Sequence, residues 1–133
     1  MKLVDVNNSP TAPKLLYRLL EERTPDVNIS HRGLPDWESH IAFINSRPYD
    51  AWYQIEENGE PVGAIYLTAT SEIGVFILKA HRGKGYGRQA IEMLMATHPR
   101  KRFLANINPT NQRSIEFFQT LGFQHIQNTY EKR

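Results

Sequence analysis

The chain has no cysteine at any of its 133 positions. That absence excludes disulfides, thiolate metal sites and a cysteine nucleophile together. Long apolar runs are missing as well, since none approaches the ~20 residues that cross a bilayer. The opening segment Met1-Lys2-Leu3-Val4-Asp5 lacks the apolar stretch of a signal peptide. These features predict a cytoplasmic protein with no membrane partner. The five histidines, His31, His40, His81, His98 and His125, never fall at HxxxH or HExxH spacing, so no metal is expected. A strong charge imbalance is absent too. The formal charge is +2 and the sequence pI about 9.0, too mild an excess to indicate nucleic acid by itself.

What is present is a globular composition, with 40% hydrophobic and 23% charged residues. No repeat, linker or low-complexity tract interrupts it, so a single domain over residues 1–133 is expected. Leu3 to Val6 reads as a short strand. Ser9-Pro10-Thr11 resembles a helix start, followed by Ala12, Leu15, Leu16 and Leu19 at helical spacing. The stretch Asn28 to Leu34 reads as loop. A second helix begins near Pro35, carries Trp37, His40, Ile41 and Ile44 on one stripe, and ends before Pro48.

Ala51 to Glu57 alternates as a strand, and Asn58-Gly59 is a strong hairpin signal before a returning strand from Pro61 to Thr70. Ile73 to Lys79 is apolar on both faces, as a central buried strand would be. A glycine-rich loop follows, then a helix with Gly87, Ala90, Ile91 and Leu94 on one face. Phe103 to Ile107 reads as a strand, Asn111 to Leu121 as a helix closed by Gly122, and Gln124 to Tyr130 as a last strand. Arg100-Lys101-Arg102 fits a helix C-terminus or a solvated turn. Strands thus interleave with helices around a mixed sheet, an α/β arrangement, and the glycine loop falls on a strand-to-helix joint.

That loop, Arg82-Gly83-Lys84-Gly85-Tyr86-Gly87, followed by Arg88, carries the chemistry. Unpaired N–H groups at a helix N-terminus bind a diphosphate, and side chains there would hold the ligand away. Gly83, Gly85 and Gly87 leave the approach open, while Arg82, Lys84 and Arg88 add positive charge. A Walker loop is excluded because Lys84 is followed by Gly85 rather than Ser or Thr. The dinucleotide pattern GxGxxG fails in both registers, which would need glycine at Arg88 or Ala90. A merely flexible turn is the plain alternative.

Taken with a second motif, the loop resembles the GNAT superfamily of acetyltransferases. The family's diphosphate signature, Arg/Gln-x-x-Gly-x-Gly/Ala, is matched by Arg82 to Gly87. Its second signature is similar to Ile107-Asn108-Pro109-Thr110-Asn111, then Ser114, Phe118 and Leu121-Gly122-Phe123. The hairpin from Trp52 to Leu67 resembles the family's second and third strands. The resemblance implies a mostly antiparallel twisted sheet flanked by about four helices, with a central pair of strands splayed into a slot. It implies acetyl-CoA as co-substrate, gripped at its diphosphate by Arg82 to Arg88. Backbone groups of Phe76, Ile77 and Leu78 would meet the pantetheine arm, and an N–H near Ile77 would polarise the thioester carbonyl. Asn108, Asn111, Ser114, Phe117 and Phe118 complete the implied cofactor contacts. Asn111 reads equally well as a helix N-cap.

An attacking amine must first lose a proton. Glu72, at the start of the cofactor-bearing strand, is the first candidate base, with an exposed strand-end carboxylate as the plain reading. His40 is the second, and on its apolar stripe it reads also as a packed core residue. The resemblance places a proton-donating tyrosine where this chain has Phe118. Tyr66, Tyr53 or Tyr86 could substitute, water could serve, or catalysis could be slow or lost. Two readings follow: an N-acetyltransferase acting by direct transfer in a ternary complex, and a CoA-responsive module with little or no catalysis. A nucleic-acid-binding domain built on Arg82, Lys84, Arg88 and Arg100 to Arg102 is a third, but no RNA-binding aromatic signature or zinc finger accompanies it. The acceptor, a small-molecule or peptide amine, is expected to meet Trp37, His40, Tyr53, Tyr66 and the 28–34 loop. The helices carrying Trp37 and His40 are similar to those of relatives that acylate amino sugars. The protein is expected to be a monomer or homodimer.

Overall fold

A computed structural model describes residues 1–23 and 33–133. Of the loop expected at 28–34, positions 28–32 lie outside the described residues. Strands β1 (Lys2–Asp5), β2 (Ala51–Glu57), β3 (Glu60–Leu67) and β4 (Ile73–Ile77) form one sheet in that order, and every neighbouring pair is antiparallel. Helices α1 (Ala12–Glu21), α2 (Trp37–Asn45), α3 (Tyr86–Thr97) and α4 (Gln112–Thr120) flank it.

The hairpin turn between β2 and β3 has Asn58 at φ 53° and Gly59 at φ 79°. Two positive φ values in succession match the twist of the flanking strands, which is why Asn-Gly predicts this hairpin so well. Register then places Trp52 beside Tyr66 and Tyr66 beside Gly74.

Alternation divides the sheet's side chains into two cores. Ala12, Leu15, Leu16 and Leu19 of α1 and Ile44 of α2 pack with Ala64, Trp52 and Phe76 on one face. Ala90, Ile91 and Leu94 of α3 and Phe118 of α4 pack with Ile55, Ile65, Leu67 and Ile73 on the other. One polar side chain, Gln54, is fully buried, and its Nε2 donates to Thr11 Oγ1 at 3.0 Å and to Glu56 Oε2 at 2.8 Å. No helix is long and apolar enough to cross a membrane among the described residues.

Two expected strands differ. At 103–107 only Leu104 pairs, in a parallel bridge with Glu72. Ile73 N–H donates to the Leu104 carbonyl and Leu104 N–H to the Ser71 carbonyl, both at 2.8 Å, and there the pairing ends. Phe103, Ala105 and Ile107 still turn inward onto the core. The segment thus stays against the core, but its pairing with β4 stops at Leu104 and the backbones part there in a wedge-shaped gap. The strand expected from Gln124 to Tyr130 does not form, and Ile126 and Tyr130 are exposed. Without a ladder along 105–107 this tail has no strand there to pair with.

Candidate cofactor groove and acceptor face

β4 presents its two edges differently. Thr68 N–H donates to Glu72 O, and Leu78 N–H to Val62 O, each at 2.9 Å. In an antiparallel ladder these bonds recur at every second residue. Gly74 and Phe76 therefore aim their backbone groups at β3, while Ile73, Val75 and Ile77 aim theirs at the gap. The three residues expected to meet a pantetheine arm, Phe76, Ile77 and Leu78, differ in where their backbone groups point. Phe76 faces β3, and Leu78 is engaged on both sides, its carbonyl accepting from His81 N–H at 2.9 Å. The outward backbone groups along this edge are those of Ile77 and of Val75, which the sequence did not single out. The hydrogen-bond phase of a strand is invisible until its partner is known.

The gap runs into the glycine turn. Gly83 and Gly85 have φ of 78° and 82°, and an added Cβ at either would stand in open space. Their absent side chains permit a left-handed backbone and leave the helix entrance clear. Gly85 is the N-cap of α3, and no side chain caps it. The first-turn N–H groups of α3 are thus left to an external acceptor. Gly87 differs: a Cβ there would meet the Phe117 ring at 3.4 Å and Ile77 at 3.8 Å, ordinary contact distances, so packing alone does not require this glycine. Arg82, Lys84 and Arg88 are exposed around the turn. Arg82 Nε donates to the Ile77 carbonyl at 3.1 Å, and Arg88 pairs with Glu92 at 3.1 Å. Tyr86 is half-buried beside His81.

On the far side of the gap, Asn108 Oδ1 accepts from Thr110 N–H at 3.0 Å, and Asn111 Oδ1 accepts from Ser114 N–H at 3.2 Å. Asn111 is thus the N-cap of α4, with its Nδ2 left over. Phe118 is buried edge-on between Phe117 and Phe123. An uncapped glycine turn, an open strand edge and a wedge between them fit a diphosphate with an extended amide-bearing arm such as coenzyme A.

The other end of β4 opens on the α1–α2 face. Glu72 is half-buried where the gap begins, its N–H held by Thr68 Oγ1 at 3.0 Å. Tyr66 lies across Gly74, where any Cβ would collide with its ring, and stacks on Tyr49 at 4.1 Å and 6°. His40 and Tyr53 sit elsewhere. His40 is buried between α1 and α2, donates Nε2–H to the Pro13 carbonyl at 2.9 Å, and packs on Tyr17 and Trp37. Tyr53 is on the opposite face of the sheet, its hydroxyl 2.7 Å from His98 Nε2. Of Trp37, His40, Tyr53 and Tyr66, only Tyr66 is shown against β4, across Gly74. Arg100 is no helix cap; it pairs with Asp50 at 3.0 Å and donates to Ser71 Oγ at 3.2 Å.

Burial pushes the Tyr66 phenol above 10.0, with the Glu72 charge adding and Arg23 opposing. Burial likewise raises Tyr49 and Tyr53. Below pH 10 these phenols are neutral whether the chain is folded or not, so they add no pH dependence there. Above it the unfolded chain ionises first and folding stability falls. Ultraviolet titration should accordingly show part of the tyrosine ionisation displaced to higher pH in the folded chain than in the unfolded one. Identical curves for the two states would refute this.

Two surface hollows lie away from the groove. One of about 430 Å³ is bordered by Met1, Glu92 and Met93, the other of about 190 Å³ by Asp5, Arg47 and Trp52. Neither meets the glycine turn. Among the described residues no three His, Asp or Glu side chains gather as a metal site would need.

The architecture combines an uncapped helix entrance with a strand edge whose outward backbone groups are largely unpaired. Residues 15–123 match the description "Acetyltransferase (GNAT) family", and the chain belongs to that family. It is similar to the peptidyl-lysine N-acetyltransferase YjaB of Salmonella typhimurium, 29% identical over 73 residues, which are 55% of this chain and 49% of that protein. The chain therefore spans about half the length of that relative. The 5-NmdU N-acetyltransferase of Pseudomonas phage PaMx11 is 27% identical over 96 residues, 66% of this chain and 69% of that protein. The fold is shared with a domain from Methanocaldococcus jannaschii at TM-score 0.78 and 22% identity, covering 98% and 92% of the two chains. It is shared also with an acetyltransferase from Thermus thermophilus at 0.72 and 23%, covering 96% and 88%.

Proposed function

We propose that this chain transfers an acetyl group from acetyl-CoA to a primary amine by direct attack, with both substrates held together. The observation that carries this is the continuity of the uncapped Gly83–Gly85 turn with the outward backbone groups of Val75 and Ile77. Acetyl-CoA supplies the acetyl group as an activated thioester. The α3 entrance would hold its diphosphate, and an N–H on the β4 edge would stabilise the developing oxyanion. Asn111 Nδ2 and the Phe117 ring line the opposite side.

Glu72 opens the same strand and would accept the amine's proton, directly or through water. Tyr66, kept protonated by burial, would donate to the departing thiolate in place of Phe118. The Salmonella relative's name specifies peptidyl-lysine and the phage relative's 5-NmdU. Both are named N-acetyltransferases, which supports an amine acceptor without deciding its class.

Thiol release from acetyl-CoA across a panel of amines tests this reading. Glu72→Gln should lower kcat by about a hundredfold, the usual scale for a positioned base, with the KM for acetyl-CoA unchanged. A second reading, a CoA-binding module without catalysis, is favoured by the hydroxyl-free Phe118. Heat protection by acetyl-CoA without thiol release from any amine would select it.

A further inference from the structure

Five aromatic rings that the chemistry above leaves largely unused form a continuous wall on the α1–α2 face. Phe43 meets Trp52 at 5.9 Å and Tyr49 at 6.2 Å; Tyr49 meets Trp52 at 4.9 Å and stacks on Tyr66 at 4.1 Å; Tyr66 meets Phe76 at 6.2 Å. Strand register assembles it, since Trp52, Tyr66 and Gly74 are cross-strand neighbours, and only a glycine leaves room for the Tyr66 ring.

The two ends of this wall carry opposite charges. Glu72, Gly74 and Phe76 share one face of β4, so Glu72 stands at one end. At the other, the Arg23 guanidinium carbon lies 4.7 Å from the centroid of the Phe76 ring. Arg23 is well placed to stay there. Its N–H donates to the Leu20 carbonyl at 3.2 Å, and the neighbouring Glu22 carboxylate accepts from Lys79 N–H at 2.8 Å, tying the end of α1 to the end of β4. The Tyr66 ring lies over Gly74, the residue of this face between Glu72 and Phe76, and the charges of Arg23 and Glu72 both act on its phenol. Four residues of strand separate the Cα atoms of Glu72 and Phe76 by about 13 Å. With side chains reaching inward from both ends over the Tyr66 ring, a ligand that spans them would carry charges roughly 7–10 Å apart.

We propose that the acceptor is a small primary amine with a flat aromatic or heteroaromatic body and an anionic group at its far end, its amine received by Glu72 and its anion by Arg23. This rests on the acetyltransferase reading for the position of the amine. A guanidinium grips carboxylate or phosphate through paired donors, and a planar body lies against the aromatic wall. An α-amino acid does not fit, because its two charges are too close to reach both ends. A plain alkyl amine uses neither the wall nor Arg23.

The test compares para-(aminomethyl)benzoate and para-(aminomethyl)phenyl phosphate with benzylamine, which lacks the anion, and ε-aminocaproate, which lacks the ring. The full-length chain is assayed for kcat/KM by thiol release, and for binding by quenching of tryptophan fluorescence, since Trp52 is in the wall. At least one ring-and-anion amine should exceed both controls by roughly tenfold, the scale of one charge-assisted contact, and Arg23→Met should abolish the advantage over benzylamine. Because each result is a ratio within one preparation, partial misfolding of the variant does not affect it. Comparing the carboxylate and phosphate arms shows which anion is taken. A smaller preference in both readouts, or one that Arg23→Met leaves standing, overturns the proposal. Selective quenching without thiol release from any amine would instead overturn the transferase reading and the acceptor role with it, while showing that the wall and Arg23 bind such amines.

Discussion

Gly85→Glu should abolish the heat protection that acetyl-CoA gives the wild-type chain and raise the KM for acetyl-CoA by about a hundredfold or more, as losing one or two charge-assisted contacts requires. Two causes act together. Gly85 holds φ 82°, a left-handed conformation that costs a residue with a Cβ about 1–2 kcal/mol. The new carboxylate would also occupy the uncapped entrance of α3 and compete for its N–H groups. The folding cost alone should lower the melting temperature by about 4–8 °C. Gly87→Ala is the matched control, because its Cβ meets Phe117 and Ile77 only at ordinary contact distances and helical φ suits alanine. If Gly85→Glu keeps the full acetyl-CoA shift, the diphosphate is not bound at this turn.

A larger loss of stability is expected from Gly63→Ala. An added Cβ would overlap the Phe76 carbonyl oxygen, lie 2.9 Å from Ile77 Cδ1 and 3.1 Å from Ile77 Cα. Two of these three atoms are backbone, so no rotamer change relieves the clash and β3 must separate from β4. Overpacking of this kind costs about 3 kcal/mol, a fall of roughly 10 °C or more for a chain of this size. Thermal unfolding followed by circular dichroism measures it. A melting temperature within experimental error of wild type would show that the strands are less closely apposed than described.

Both glycines lie in segments the sequence marked clearly, but for reasons it showed unequally. The turn at Gly83–Gly85 was legible because local chemistry writes it: alternating glycines, flanking cations and a helical stripe beginning at Gly87. β2, β3 and the Asn58-Gly59 turn were legible on the same grounds. Gly63 reads as an ordinary strand residue until its neighbour across the sheet is known. The stretch 103–107 shows the converse. Phe103, Ala105 and Ile107 do pack onto the core, yet a strand needs a partner as well as apolar residues, and only Leu104 has one. The tail beyond Gln124 failed in consequence.

The aromatic wall was illegible for a similar reason. Phe43, Tyr49, Trp52, Tyr66 and Phe76 are scattered over more than thirty positions, and two strand registers bring them together. His40 illustrates the opposite hazard. A histidine on an apolar stripe invites a chemical role, while its ring nitrogen is committed to the Pro13 carbonyl.

The wedge beside β4 means that the sheet is left incomplete by its own chain. A coenzyme seated there would serve as a missing structural member, and at a hundred times its dissociation constant would deepen the folded well by about 2.7 kcal/mol. The lifetime of the protein in a cell would then follow the metabolic supply of acyl donor, so that starvation would thin its ranks as well as slow its turnover.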